Sequence, residues 1–485
     1  LSIVGTPPRN IVQYEQLWQG TNRTGNLPIN GIINGTAIAP NNFAFSADAT
    51  SFKLKSSITG HGSHGEFAQN GGGIFHRIRI NDVQKFSWTL TQQCSENPIY
   101  PQGGTWVTNR QGWCPGQRSF QKEQDLTPHV TPGTTMEVKY ITSNPSISAG
   151  DYRYHVAHQI IGYGAPNFAT DAAIVTIKQP NNTNAEFSRV NPMCEKPKIT
   201  VRNTGSNAVT SISFEYWLNN ASTHQTFTWT GTLASMADVD VVLPLNELWS
   251  TAIQATGNKF HAKIMLVNES PDQYANNNMM TSPLTLPDVV PTTFKISLKT
   301  NNSPSQNNYT LYDAEGIVVD TKTFPTANTI YTYTYQAPQI SNGCYRLRVN
   351  DTGKDGLQWW ANTAQGTGYM KLLDANDVVI KTFNPDFGGG FDYSFSVDSL
   401  LANEIFEASE ELKIYPNPTK GSFSIEGTNL VNSKIKIYDI LGNLIQQVDA
   451  ENNLMEFNKT NLSAGVYLIN IEKNNKTTVK KLVIN

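Results

Sequence analysis

Short runs of alternating apolar and polar residues, each cut off by turn residues, fill this chain from end to end. Examples are "KLKSSITG" (53–60), "HRIRIN" (76–81), "KFSWTLTQ" (85–92) and "AAIVTIKQ" (172–179). A period of two sends successive side chains to opposite faces of a strand, so each run can bury one face only. Turn residues recur about every ten positions, the spacing of sandwiches and jelly rolls. No amphipathic helix longer than two turns is legible. The runs predict an all-β chain of tandem β-sandwich or jelly-roll domains. Composition agrees: 35 Gly, 25 Pro and only 15% charged residues favour strands and turns over helices.

With 485 residues, length alone suggests about three domains. A net charge of −3 argues against a nucleic-acid binder, which needs a basic face to meet phosphates. No apolar run approaches the roughly 20 residues that span a bilayer as a helix, so no transmembrane segment is expected. The chain starts at Leu1 with neither an initiator Met nor a signal peptide, which reads as a processed or truncated product.

Punctuation gives the expected boundaries. A first jelly roll is expected at 9–192, ending in "RVNPMCEKP" (189–197). An immunoglobulin-like sandwich follows at 193–288. The segment 284–293 closes it, because Pro287 and Pro291 disfavour continuous strand pairing. An accessory β-sandwich is expected at 292–397, a linker at 398–411 and a compact small sandwich at 412–485.

The four cysteines rule out a disulfide scaffold. Cys94 and Cys114 are spaced for one local bridge in an oxidising compartment, worth roughly 3 kcal/mol of loop closure. Cys194 and Cys344 lie far apart in sequence, in different expected domains, and are not paired. The bridged loop also holds Trp106 and Trp113 beside Arg110. Indole faces stack on sugar rings and Arg donates to hydroxyls or carbonyls, but the same residues could simply anchor an irregular loop.

"CSENPIYPQGGTWVTNRQGWCPG" resembles the cysteine-bounded loop of the peptide-N-glycosidase F family, bacterial amidases that release N-glycans from glycoproteins. "TGHGSHGEF" (59–67) resembles that family's Gly-x-Gly segment leading to a glutamate, and "HRIRIN" its next strand. The resemblance covers about residues 1–190. It implies two eight-stranded jelly rolls with the active site between them, and this chain supplying the second. By motif position Glu66 and Arg110 are then catalytic, His61, Trp106 and Trp113 meet substrate, and Cys94 bonds Cys114. The family's principal aspartate belongs to the first jelly roll, of which only residues 1–8 have a counterpart here. Three departures stand out: Gly65 and Ala68 replace flanking cysteines, His61 replaces a tryptophan, and Asn109 stands where an aspartate is expected.

At the other end, "LKIYPNPTKGSFSI", "IKIYDILGNLI", "LSAGVYLINI" and "VKKLVIN" are similar to the type A sorting domain of the type IX secretion system. That resemblance implies export across a Bacteroidetes outer membrane, with residues 412–485 meeting the outer-membrane translocon and its shuttle or sortase proteins. The protein is then secreted or attached to the surface. The accessory sandwich is similar to a module common beside such sorting domains.

The leading expectation is therefore an exported glycoamidase acting on N-glycoproteins, with no cofactor. Two alternatives compete with it. One is a non-enzymatic carbohydrate-binding or adhesive surface protein. The other is a copper or zinc enzyme on the same fold, with His61, His64 and His76 as candidate ligands. "NDTGKDG" (350–356) puts Asp351 and Asp355 at alternate positions, as calcium loops do, but without the downstream glutamate; a polar β-turn is the competing reading. "HVAHQ" (155–159) on a strand sends its two rings to opposite faces, which suits a structural role.

Overall fold

The structure is a computed structural model. It describes residues 6–18, 27–61, 74–98, 101, 103, 110–112, 114, 116–117, 119–143, 153–245, 248–250, 257–398, 413–427, 430–439, 443–457, 462–473 and 476–485. Two compact units are present, Leu1–Val397 and Asp398–Asn485. Antiparallel sheets dominate both, and the one α-helix among the described residues is the short Ile29–Ile33.

Strand Ser51–His61 shows why the sequence folds this way. Phe52, Leu54, Ser56, Ile58 and Gly60 are buried, while the intervening side chains reach the surface. It pairs with Arg153–Pro166 and Phe120–Asp125; Arg9–Leu17 and Leu27–Pro28 add to Arg153–Pro166. The second sheet orders Asn41–Ala44, Thr135–Thr142, His76–Ile80 and Val83–Trp88. Side chains from both sheets, among them Phe43, Phe52, Ile78, Val138 and Ile160, form one core. At roughly 25 cal/mol per Å² of apolar surface, such two-sheet burial is the main favourable term of the fold.

A second core lies between the sheet Ala172–Gln179, Lys198–Asn203, Asp238–Val242 and the sheet built on Gln225–Leu233, Val209–Leu218 and Lys259–Val267. This moves the expected boundary. Ala172–Gln179 pairs with Lys198–Asn203 and buries Ala172, Ile174 and Ile177 in the second core, so it does not belong to the first jelly roll. The proline-marked stretch after it is a connection between two paired strands, and it contains the 3-10 helix Ala185–Val190.

The accessory sandwich faces the sheet Asp288–Pro291, Gly390–Asp398, Gly343–Asp351, Asn307–Asp313, Val318–Thr323 against Ile330–Tyr335, Phe294–Lys299, Tyr369–Asp374, Val379–Thr382. Asp288–Pro291 ends in proline and sits at the edge, where the missing N–H costs no ladder bond. Cys194 and Cys344 are bonded, with Cα atoms 5.7 Å apart, which corrects the expectation that they stay unpaired. Sequence distance misled here, because the connection carrying Cys194 lies on the accessory sheet, where Glu195 also accepts from Arg346 at 2.8 Å. The second unit closes its own core around Phe423, Ile437, Ile469 and Leu482.

Candidate functional site

The cysteine loop is closed at its base twice. Cys94 and Cys114 are bonded, with Cα atoms 5.2 Å apart, and Gln92–Gln93 forms a two-strand ladder with Gln111–Gly112. Arg110 precedes that ladder at φ 46°, a left-handed conformation that costs an ordinary residue about 1 kcal/mol or more. Its carbonyl takes a hydrogen bond from Cys94 N at 2.8 Å. The turn aims the guanidinium into the accessory sandwich. There Nη1 lies 2.7 Å from Asp386 Oδ1 and donates to Lys354 O at 3.3 Å, with the ring of Trp359 4.6 Å away.

Arg110 is only 1% exposed. Its charge is paired with Asp386, and its flat face is covered by the Trp359 indole. Burial pushes the Asp386 carboxyl above its ordinary pKa, and the Arg110 guanidinium opposes that shift.

A second arginine locks the same junction. Arg189 Nε donates to Asn97 O (2.7 Å), Nη2 to Ser95 O (2.9 Å) and Nη1 to Gly390 O (2.8 Å). Gly388 sits at φ +67°, and a Cβ there would lie 2.1 Å from Ser95 O. Only glycine lets the two backbones approach so closely. The described residues at the base of the loop, Ser95, Asn97 and Arg110, are thus docked between Arg189 and the accessory sandwich and braced by the disulfide.

Two cavities flank Asp386. One, about 320 Å³, is walled by Pro98, Pro101, Arg189, Phe387 and Phe391. The other, about 290 Å³, lies on the accessory sandwich between Trp359, Trp360, Gln358, Thr363 and Asn384. Trp360 is 68% exposed, the most exposed of the large hydrophobic side chains among the described residues. Sequence reasoning passed over both tryptophans, Arg189 and Asp386. The adjacent pair in "GLQWWAN" was the available signal, since strand alternation cannot bury two neighbouring indoles on one face.

Among the described residues, the candidate ligands His61 and His76 stand apart, in opposite sheets. His61 is exposed, its Nε2 3.0 Å from Thr59 Oγ1 and its ring edge-on to His155 at 4.7 Å. His76 is buried in the opposite sheet, with Nδ1 2.6 Å from the Tyr140 hydroxyl. His155 is exposed and His158 buried, as strand alternation requires. His158 Nδ1 meets Ser56 Oγ at 2.8 Å, and its ring packs on Tyr140 at 4.6 Å. Burial holds both His76 and His158 down to about 3, so both are neutral core groups at physiological pH. Among the described residues no three His, Cys, Asp or Glu side chains group as a metal set. Glu66, His64, Trp106 and Trp113 lie outside the described residues. Asp351 and Asp355 are both buried in one turn of the accessory sandwich.

Comparison with known proteins adds two family matches, each over part of the chain. Residues 29–157 match the model for "Peptide-N-glycosidase F, C terminal". The chain carries a peptide-N-glycosidase F C-terminal domain. Residues 413–485 match the "Secretion system C-terminal sorting domain". The peptide-N-glycosidase F-type domain therefore travels on an exported protein, secreted or held at the cell surface, and the sorting domain points to the type IX system. No helix among the described residues is long and apolar enough to cross a membrane. A solved structure, "Recombinant peptide: N-glycanase F (PNGase F)", is 24% identical, covering 33% of this chain and 54% of its own, with a TM-score of 0.26. The chain is also similar to an "Endo-acting ulvan lyase" of Formosa agariphila, 24% identical over 39% of each protein. "Ulvan lyase NLR42" of Nonlabens ulvanivorans is 28% identical over 24% of this chain and 22% of its own length. The chain thus spans well under half of either curated relative.

Proposed function

We propose that this protein is an exported glycoamidase acting on N-glycosylated proteins. Its peptide-N-glycosidase F-type domain supplies one side of the active site, and a partner jelly roll bearing the principal aspartate supplies the other. The observation carrying the proposal is the family match over residues 29–157, together with the bonded cysteine loop inside it. In this reading Glu66 is the carboxylate contributed by this domain. It orients water or stabilises the leaving amine while the aspartate does the base work. Arg110 acts at one remove: its pairing with Asp386 fixes the cysteine loop, and Trp106 and Trp113 on that loop meet the glycan. Hydrolysis of the glycosylamide then converts the linkage asparagine to aspartate.

The test is release of glycan from a glycopeptide by the protein joined to that first jelly roll, compared with residues 1–485 alone. Activity only in the joined form is expected. Activity from residues 1–485 alone would overturn the division of labour between the two jelly rolls.

A second reading is a carbohydrate-binding surface protein without catalysis. The exposed indole of Trp360, beside a cleft rimmed by amide and hydroxyl groups, favours it. Intact glycan binding by the joined protein, lost in Trp360→Ala and unaccompanied by any release of glycan, would select this reading.

A further inference from the structure

We propose that the turn Asp351–Gly356 of the accessory sandwich is a calcium site, completed by Gln306 and Asn307 from the neighbouring chain segment. The turn reads Asp-Thr-Gly-Lys-Asp-Gly. In calcium loops, side-chain oxygens come from positions one, three and five, and a glycine at six allows the sharp turn. Gly356 supplies that turn at φ +70°. Asp351 Oδ2 accepts from Asp355 N at 3.0 Å and from Gly356 N, while Oδ1 accepts from Gly353 N at 2.8 Å. These bonds shape the turn and by themselves show no ligand.

What points to a cation is the set of oxygens with nothing to bond. Asp355 is 4% exposed, and its Oδ1 is buried without a hydrogen-bond partner. Gln306 Oε1 is likewise buried and unpartnered. The two converge. A Cβ built on Gly353 would lie 2.5 Å from Gln306 Oε1 and 2.9 Å from Asp355 Oδ1, so both face the space that the third position's missing side chain leaves open. Gln306 therefore stands where a calcium loop would put its third-position oxygen. Asn307 pairs directly across from Asp351 in the sheet; it is 2% exposed, and neither its amide oxygen nor its nitrogen has a partner.

Charge gives an independent reason. Asp351 is 3% exposed, and among the described residues neither it nor Asp355 has a salt bridge. The nearby cations are engaged elsewhere: Arg110 pairs with Asp386, and Lys354 Nζ donates to Gln93 Oε1 at 3.3 Å. Two buried carboxylates with no cation are costly. A hard divalent ion resolves this, because carboxylate and amide oxygens are its preferred donors. An all-oxygen set without imidazole or thiolate does not suit zinc. With two carboxylates, and lacking the downstream glutamate, the site belongs to the weak class of extracellular modules, with Kd on the order of 0.1–1 mM.

The site also touches the docking junction. Lys354 O, inside the turn, accepts from Arg110 Nη1, so calcium that orders the turn also orders the surface on which the cysteine loop seats.

The experiment is calorimetric titration of CaCl2, and of MgCl2 as a control, into residues 1–485 stripped with chelator at neutral pH. One calcium equivalent with submillimolar to millimolar Kd is expected, with magnesium at least tenfold weaker. Gln306→Ala, a half-buried position that leaves the turn's own bonds intact, should weaken calcium at least threefold. Asp355→Asn should weaken it tenfold or more. If Asp355→Asn fails to fold, Gln306→Ala carries the test alone. Absence of calcium heat from folded protein would overturn the proposal. So would unchanged affinity in a folded Gln306→Ala.

Discussion

Replacing Arg110 by Met keeps the length of the side chain and removes its charge. In the native protein the Arg110 side chain is 2% exposed and that of Asp386 18%. Removing one partner of a fully buried pair costs about 3–5 kcal/mol. Asp386 can recruit water or a proton through its exposed edge, which brings the expected cost down to roughly 2–3 kcal/mol. The cost should depend on pH with a definite sign. Without Arg110, burial and the nearby Asp355 charge both act on Asp386 in the same direction, so its folded pKa lies above its unfolded value and the folded state holds the proton more tightly. The penalty is then absent below the unfolded pKa and grows as pH rises through the folded one. Asp386→Asn leaves a buried guanidinium that cannot lose its proton, and should cost at least as much. The double variant should recover about 2 kcal/mol relative to the sum of the singles. Hydrogen exchange at 351–356 and 384–390 reads this locally, without assuming that three sandwiches unfold together. Single variants within about 0.5 kcal/mol of the parent, adding independently, would refute the docking role.

The jelly roll of this chain that holds His76 and His158 should lose stability in mild acid. His76 and His158 are held near 3 against an ordinary 6.5, so protons bind the unfolded chain first and stability falls as pH drops below 6.5. Between pH 7 and 5 the loss is on the order of 2 kcal/mol per histidine; thermal melts of residues 1–485 with unchanged first-domain midpoints would contradict it. Cys194→Ser with Cys344→Ser opens a cross-link spanning 150 residues and should destabilise the chain by up to about 5 kcal/mol in the loop-entropy model, measured by denaturation against the parent with both disulfides intact. Deleting residues 412–485 should leave the protein in the periplasm with the remaining unit folded, by fractionation and far-UV circular dichroism. Normal export of the truncated protein would contradict the sorting assignment.

The β architecture was legible because alternation and turn spacing act locally, as in Ser51–His61. The boundary near residue 190 was misplaced for the same reason. Prolines mark a break in a strand, but they do not tell a domain boundary from a connection between two paired strands. Cys94–Cys114 was readable from proximity, whereas Cys194–Cys344 depended on how two sandwiches pack. Arg110 shows the deepest limit. Its motif position was plain, yet its partners Asp386, Lys354 and Trp359 stand more than two hundred residues away. No local pattern encodes which face of one sandwich meets another. In the calcium turn the acidic positions were visible, but the oxygen replacing the third position comes from Gln306, on a segment whose sequence carries no metal signature.

In the proposed function, Glu66 on the peptide-N-glycosidase F-type domain acts on the reacting atoms. The most direct measurement is steady-state glycan release by the joined protein carrying Glu66→Gln, which keeps shape and hydrogen bonding but removes the charge. The expected result is that kcat falls by about two orders of magnitude while KM stays within a few fold, the pattern of a group acting on the reacting atoms. An unchanged kcat in a folded Glu66→Gln variant would contradict it.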